Sequence, residues 1–469
     1  MTNLTLHHDD VLHLFIQDTI LGDYLGRYTF GWLHFFTQNH YIMPFVQMTE
    51  GIVLMSVYGL IVARFWGASN TTDLALIAAI LCVFPYMAHI YQYNTSMAPF
   101  PLAHLLAASA VVLSTRATFR SVAVAASLYV AAFSIYQSVA ANAATIFVIW
   151  LLARILFSRG DQGLATSKTI RATIAAAISV VLGGLLYLAF VHVMQRVLQL
   201  EFDTDHAAEE AFRLGGALKL SRSIPEIWQG TRSFFIWPES YFPDYLKAVQ
   251  LVFLVVAGIF CLLVPARLRT KIAAAALLVL AIFTPRVLQL LHPDGTYHSL
   301  TLTAYAIVIA GAVMIVSRAG RTVTRNLSIV VSTFLIAGYV LQCNWISTVN
   351  YLNTIAHFTT MTQVLAQVRS VPDAHWDGKK IAVVGTYDPP SDYPFKLAAG
   401  VATKFIDAKH MEYLARLMRD EATFVAADET MPKVLEYAAT HPSWPEPGSV
   451  GVVDGMGVVV FSKRQAAPQ

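Results

Sequence analysis

Residues 172–194 read ATIAAAISVVLGGLLYLAFVHVM, a run without Asp, Glu, Lys or Arg, and Lys168 and Arg171 stand just ahead of it. About 20 apolar residues in a helix cross the hydrocarbon layer of a bilayer. This stretch therefore sets the class of the chain, a protein built into a membrane. Nine further windows have the same character: 42–64, 74–92, 99–115, 121–138, 141–157, 247–264, 272–291, 299–317 and 326–343. The expected fold is mainly α, a polytopic membrane protein of about ten transmembrane helices.

The loops between the windows divide by charge. One set carries Arg64; Arg116 and Arg120; Arg154, Arg159, Lys168 and Arg171; Arg267, Arg269 and Lys271; and Arg318, Arg321 and Arg325. The alternate short loops, 93–98, 139–140 and 292–298, carry neither Lys nor Arg. Basic loops stay on the cytoplasmic side, so residues 1–41, the loop 195–246 and the tail from 344 are expected outside. A 41-residue segment bearing Asp9, Asp10, Asp18 and Asp23 then either crosses with no span before it or follows a helix ahead of Met1.

Composition agrees with a membrane class. Of 469 residues 56% are hydrophobic and 13% charged, and the mean hydropathy is +0.55. A net charge of +3 is too small to point to a nucleic-acid partner. Cys82, Cys261 and Cys343 lie in or beside apolar windows with neither zinc-site nor redox spacing, so they read as packing residues.

Three domains follow: an outer segment 1–41 with an acidic pair, a transmembrane domain 42–343 with the outer loop 195–246, and a small α/β domain 344–469. In the outer loop, Ile224-Pro225-Glu226-Ile227-Trp228 and Phe234-Phe235-Ile236-Trp237-Pro238 mix aromatic residues with charges. That suits a helix lying among lipid headgroups. In the tail, Lys380 to Gly385 predicts a buried strand leading into a turn at Tyr387-Asp388-Pro389-Pro390. Met411–Arg419 and Met431–Ala439 predict helices, and Val450–Phe461, broken at Asp454-Gly455, predicts a hairpin.

Glu50, His89, His104, Gln137, His192, Arg286 and Gln289 interrupt the apolar windows, all in the outer half on this topology. Polar groups inside a membrane are costly and mark functional sites. Ahead of them, His7-His8-Asp9-Asp10 offers adjacent carboxylates that can share a proton, one then serving as a base. The same run offers ligands for a divalent metal, which would need partners from elsewhere. Arg27, Arg286 and His298 are the candidates for holding a lipid phosphate, the arginines through a fork that matches its oxygens. Glu50, Tyr91, Gln92 and Gln137 are the candidates for sugar or acceptor contacts.

These residues in this order resemble the GtrII family of bacterial membrane glucosyltransferases, within the broader GT-C class. The resemblance rests on Asp9-Asp10, Gly26-Arg27-Tyr28, Phe84-Pro85-Tyr86, Leu128-Tyr129 through Tyr136-Gln137-Ser138, and Phe358–Val368 with Ile381 to Gly385 in the tail. It implies transfer of a glucosyl unit from a polyprenyl-phosphate carrier to a glycan acceptor such as O-antigen of lipopolysaccharide. It also implies a place in the bacterial inner membrane, with the active site and the C-terminal domain periplasmic. Asp9 or Asp10 would be the catalytic base. The family pattern has an arginine three residues after the aspartates, where this chain has His13. Partners would be the lipid-linked donor, the glycan and membrane lipids; no cofactor is called for beyond the divalent metal that the His7-His8-Asp9-Asp10 run leaves open. The rival reading is a flippase for lipid-linked glycans or another transporter. That would need a polar route through the inner half of the bilayer, where these windows are mostly Ala, Leu, Val and Ile.

Overall fold

The computed structural model describes residues 26–38, 43–157, 167–199, 220–237, 241–291, 297–318, 322–372, 378–387 and 406–462. The acidic pair Asp9 and Asp10, with its neighbouring histidines, lies outside them. Contacts divide the chain into two units, with the boundary between Trp345 and Ile346.

The first unit is helical, and every apolar window contains α-helix, though several are interrupted. After α1 (Tyr28–Gln38), α2 (Pro44–Phe65) opens on a proline, whose fixed φ suits a first helical turn. Next, α3 (Thr71–Val83) is capped by Asn70, whose side chain accepts a hydrogen bond from the Asp73 amide. Window 74–92 is not one helix. Phe84 is extended ahead of Pro85, as the residue before proline prefers, and a short α4 (Pro85–Ile90) starts afresh. From Phe84 to Phe100 only Tyr91 and Tyr93 are less than fully buried.

The chain continues through α5 (Pro99–Ser114) and α6 (Phe119–Phe133), the latter started by a Thr118–Ser121 capping box. Then come α7 (Val139–Phe157), α8 (Ser167–Leu198), α9 (Leu220–Ile236), α10 (Asp244–Leu263) and α11 (Leu268–Phe283). From α11 the chain tightens into a 3₁₀ segment, Thr284–Leu290, and a second one, Ser299–Leu302, leads into α12 (Ala304–Arg318). A long α13 (Thr322–Ser370) follows. Among the described residues seven helical stretches are long and apolar enough to cross a membrane, whereas α3, α5 and α6 are apolar but shorter.

Within the first unit α12 is the centre. Each residue from Ala304 to Ser317 is buried, packed by α3, α7, α10 and their neighbours. At the rim, α8 turns Ile174, Ile178, Val181, Leu185 and Leu186 outward. An apolar outer surface of this kind is what a bilayer rather than water accommodates. Helix α9 is two-faced: Ser223, Thr231, Phe234 and Phe235 are buried, and Ile224, Trp228 and Ile236 are exposed.

The second unit takes in the end of α13. It adds β1 (Lys380–Val384), α14 (Ala408–Leu417), β2 (Thr423–Ala426), α15 (Pro432–Thr440), β3 (Val450–Val453) and β4 (Met456–Val460). The sheet order is β2-β1-β4-β3, with β1 parallel to both neighbours and β3 antiparallel to β4. On one face Ile381, Val383, Phe424 and Val459 meet Met411 and Leu414 of α14 and Met361, Val364 and Val368 of α13. On the other, Ala382, Val384, Val458 and Val460 meet Val434 and Ala438 of α15. Burial on both faces explains the unbroken apolar reading of β1 and β4. The hairpin turns where expected, with Asp454 and Gly455 both at positive φ, 51° and 70°.

Candidate active site

The break between α6 and α7 builds the first part of the site. Ser134 leaves the helix, and its carbonyl accepts hydrogen bonds from the amides of Thr29 and Phe30 at the start of α1. The two hydroxyls of Thr29 and Ser134 lie 2.6 Å apart. This docking carries Arg27 to the segment 134–138. Its Nε donates to Oε1 of Gln137 at 3.4 Å, and its guanidinium carbon sits 5.5 Å from the ring centres of both Phe100 and Tyr136. Those rings are stacked at 4.0 Å. Gln137 is fully buried and donates through Nε2 to the Tyr187 hydroxyl of α8 at 2.8 Å. Tyr187 in turn donates to the Gly26 carbonyl at 3.3 Å. The sequence marked Arg27 and Gln137 for different roles, and the fold joins them.

The second part surrounds Arg286. This residue departs from helical geometry within Thr284–Leu290, with φ −108° and ψ 17°. Its Nε donates to the Tyr305 hydroxyl at the start of α12, 3.1 Å away. Phe234 of α9 stacks on the Tyr305 ring at 3.8 Å. The guanidinium lies against Gly230 of α9 so closely that a Cβ there would overlap it. Only glycine leaves that space. Burial raises the pKa of the nearby Tyr297 phenol well above its ordinary value, opposed in part by the positive charge of Arg286, so this phenol stays protonated and a hydrogen-bond donor.

A third group ties these parts to the core. His89 is 2% exposed, its ring is stacked on Tyr241, and its Nδ1 lies 2.6 Å from the Ser299 hydroxyl. Its Nε2 has no hydrogen-bond partner among the described residues. His104 Nδ1 is 2.7 Å from the Phe100 carbonyl, which only accepts, so the proton sits on Nδ1. Its Nε2 accordingly accepts from the Thr303 hydroxyl at 3.0 Å, whose oxygen receives the Asn142 amide at 3.1 Å. Residues 299–305 thus connect His89, His104 with Asn142, and Arg286 in turn.

The other sequence-derived candidates are dispersed. Gln92 is buried at the end of α4. The Tyr91 phenol is also buried, beside Gly51, and has no hydrogen-bond partner among the described residues. Glu50 is exposed on α2, as is His192 on α8. His298 is exposed too, close enough to His89 to act on it electrostatically. Among the described residues no cluster of three or more His, Cys, Asp or Glu could hold a metal. The His7-His8-Asp9-Asp10 run lies outside them. Asn142, Tyr187, Ser299, Thr303, Tyr305 and Gly230 were not singled out in the sequence. An unbroken apolar window hides single hydroxyls and amides, and only the break at 134–138 had a local signal.

Arg27 and Arg286 each lie beside aromatic rings and polar side chains, and a guanidinium so placed can take up negative charge on phosphoryl oxygens. Among the described residues His104 is engaged through both nitrogens, Glu50 is exposed, and His89 keeps Nε2 without a hydrogen-bond partner. A family model described as Glucosyl transferase GtrII matches residues 1–315, a stretch that includes Asp9, Asp10, Arg27, Gln137, Arg286 and His298. No curated protein and no solved structure matches the chain.

Proposed function

The chain belongs to the GtrII glucosyl transferase family, and from that premise we propose that it moves a glucosyl unit from a polyprenyl-phosphate carrier to a hydroxyl of a surface glycan such as O-antigen. The reaction takes place at the periplasmic face of the bacterial inner membrane, on a GT-C-like helical domain of about ten spans. Asp9 or Asp10 removes the proton of the acceptor hydroxyl. The acceptor oxygen bonds to the anomeric carbon as the bond from that carbon to the phosphate oxygen breaks, and polyprenyl phosphate departs with the electron pair. Arg27 and Arg286 offset the charge that develops on the departing phosphate, with His298 at the rim.

The observation that carries the reading is the fixing of Arg27 by Gln137, Phe100 and Tyr136 within the family-matched region. Gln137, bonded at both ends, positions Arg27. Gln92 and His89 Nε2, which has no hydrogen-bond partner among the described residues, are offered to the sugar hydroxyls, with Glu50 and Tyr91 as further contributors. A sugar already activated on a lipid phosphate needs no nucleotide, in keeping with basic loops that carry no nucleotide-binding motif.

The test is transfer of labelled glucose from polyprenyl-phosphate glucose to surface glycan in membranes containing this chain, with an Asp9→Asn/Asp10→Asn control. Transfer abolished in the control supports the assignment. Equal transfer in both rules the aspartates out as base. No transfer by correctly inserted protein directs attention to another donor or to transport.

A further inference from the structure

At the other end of α12 from Tyr305, about 20 Å along the axis at the usual helical rise, a cavity of about 490 Å³ opens between the α2–α3 connection, the end of α12 and the start of α13. It is lined by Ser69, Asn70 and Asp73 on one side and by Arg318, Arg325 and Asn326 on the other. We propose that this cavity is a binding site for a phosphate group, separate from the region of Arg27 and Arg286.

The cavity is constructed around a fixed guanidinium. Arg318 Nη1 donates to the Trp66 carbonyl at 2.7 Å, and the Phe157 ring lies 4.4 Å from its guanidinium carbon. Gly67 makes room for it: this residue has φ +87°, and a Cβ there would be 2.8 Å from Nη1. One donor edge and one ring contact hold the group, and the other N–H donors of the fork are left for a ligand.

The carboxylate in the wall, Asp73, acts on the Arg318 charge electrostatically but offsets only one of the two guanidinium groups around the cavity. Asp73 is 4% exposed, and its oxygens are already taken up by the Ser317 hydroxyl at 2.6 Å and the Asn70 amide. A carboxylate satisfied in this way belongs to the helix cap of α3. It is a poor ligand for a metal cation. Arg325 adds a second guanidinium, exposed at the mouth, and Asn326 a neutral donor beside it. The sum is two cations against one buried, hydrogen-bonded carboxylate, a net positive wall around a void large enough for a phosphate with its attached alcohol.

A phosphate can come from a lipid headgroup or from a soluble ester, and the experiment separates them. Purified full-length protein, as wild type, Arg325→Gln and Asn326→Asp, is equilibrated in mixed micelles with phosphatidylglycerol or with phosphatidylcholine. Lipid retention is read by native mass spectrometry. Glycerol 3-phosphate binding is measured in parallel by calorimetry. Both substituted residues are exposed, so the variants fold.

The expected result is preferential retention of phosphatidylglycerol that falls roughly tenfold in each variant, as loss of a charge-assisted contact or an added repulsion implies. Glycerol 3-phosphate bound by wild type and lost from the variants would support the site with a soluble ligand. Equal retention of both lipids with no binding of the soluble ester overturns the proposal. So does binding that both variants leave unchanged.

Discussion

Arg27 and Gln137 meet through a hydrogen bond of 3.4 Å across 110 positions of sequence, and Gln137 reaches on to Tyr187 from its other end. A buried amide with both ends engaged acts as a fixed strut, so the direction of the guanidinium depends on the glutamine as much as on the arginine.

Replacing Gln137 with alanine removes that strut. Loss of its two contacts in a buried place costs about 1–3 kcal/mol of stability. Displacement of Arg27 by about 1 Å lowers transfer on the order of 100-fold. Thermal unfolding in detergent and the transfer assay read the two effects separately. A variant with unchanged transfer would remove Arg27 positioning from the mechanism.

Gly230→Ala tests the opposite side of the site. The added methyl overlaps the Arg286 guanidinium, and overpacking of this sort costs ~1–3 kcal/mol. Transfer is expected to fall as far as in Arg286→Ala, and the double variant to fall no further, because both changes act on one group. Additive losses would show that Gly230 works through something else.

In the second unit, the Arg369 guanidinium donates two hydrogen bonds to Asp420, at 2.9 and 2.6 Å, and holds that carboxyl below its usual range. A carboxyl depressed on folding contributes stability at pH values above its unfolded pKa of ~3.9 and loses it as pH falls through the lower folded value. Hydrogen exchange across α14 and β2 should therefore accelerate as pH is lowered below about 4 once the intrinsic rate is corrected. Asp420→Asn should exchange faster at neutral pH and show less of this acid dependence. Identical profiles would mean that the pair adds nothing.

Orientation can be read with single cysteines in a cysteine-free background. Glu50→Cys should react with an impermeant maleimide in intact spheroplasts, and Arg325→Cys only after the membrane is opened. Both sites lie on exposed positions. Labelling of the two from the same side would contradict the basic-loop topology.

Much of the helical architecture is legible in local pattern, because apolar length and capping act over neighbouring residues. The hairpin at Asp454-Gly455 is legible for the same reason. Three features are not. The break at Phe84-Pro85 lies within a stretch read as a single apolar window, although Pro85 is its physical cause. The helix α13 runs on to Ser370, past the point near 344 where composition turns polar, because helix formation does not require an apolar sequence. Strand β2 has only four residues and is placed by pairing with β1. In the site, Arg27, Gln137 and Arg286 stand out as polar groups in apolar surroundings. Their partners Tyr187, Tyr305 and Gly230 are ordinary residues of helices until the chain is folded, and no local pattern distinguishes them.

The enclosure of α12 has a mechanical consequence. Bilayers differ in thickness, and helices meet the difference by tilting or by drawing lipid around themselves. Rim helices such as α8 have an apolar flank free to make that adjustment. A helix with protein on every side from Ala304 to Ser317 does not face lipid at all. The spacing between Tyr305 and Arg318 is therefore set by the protein and is the same in a thin membrane as in a thick one.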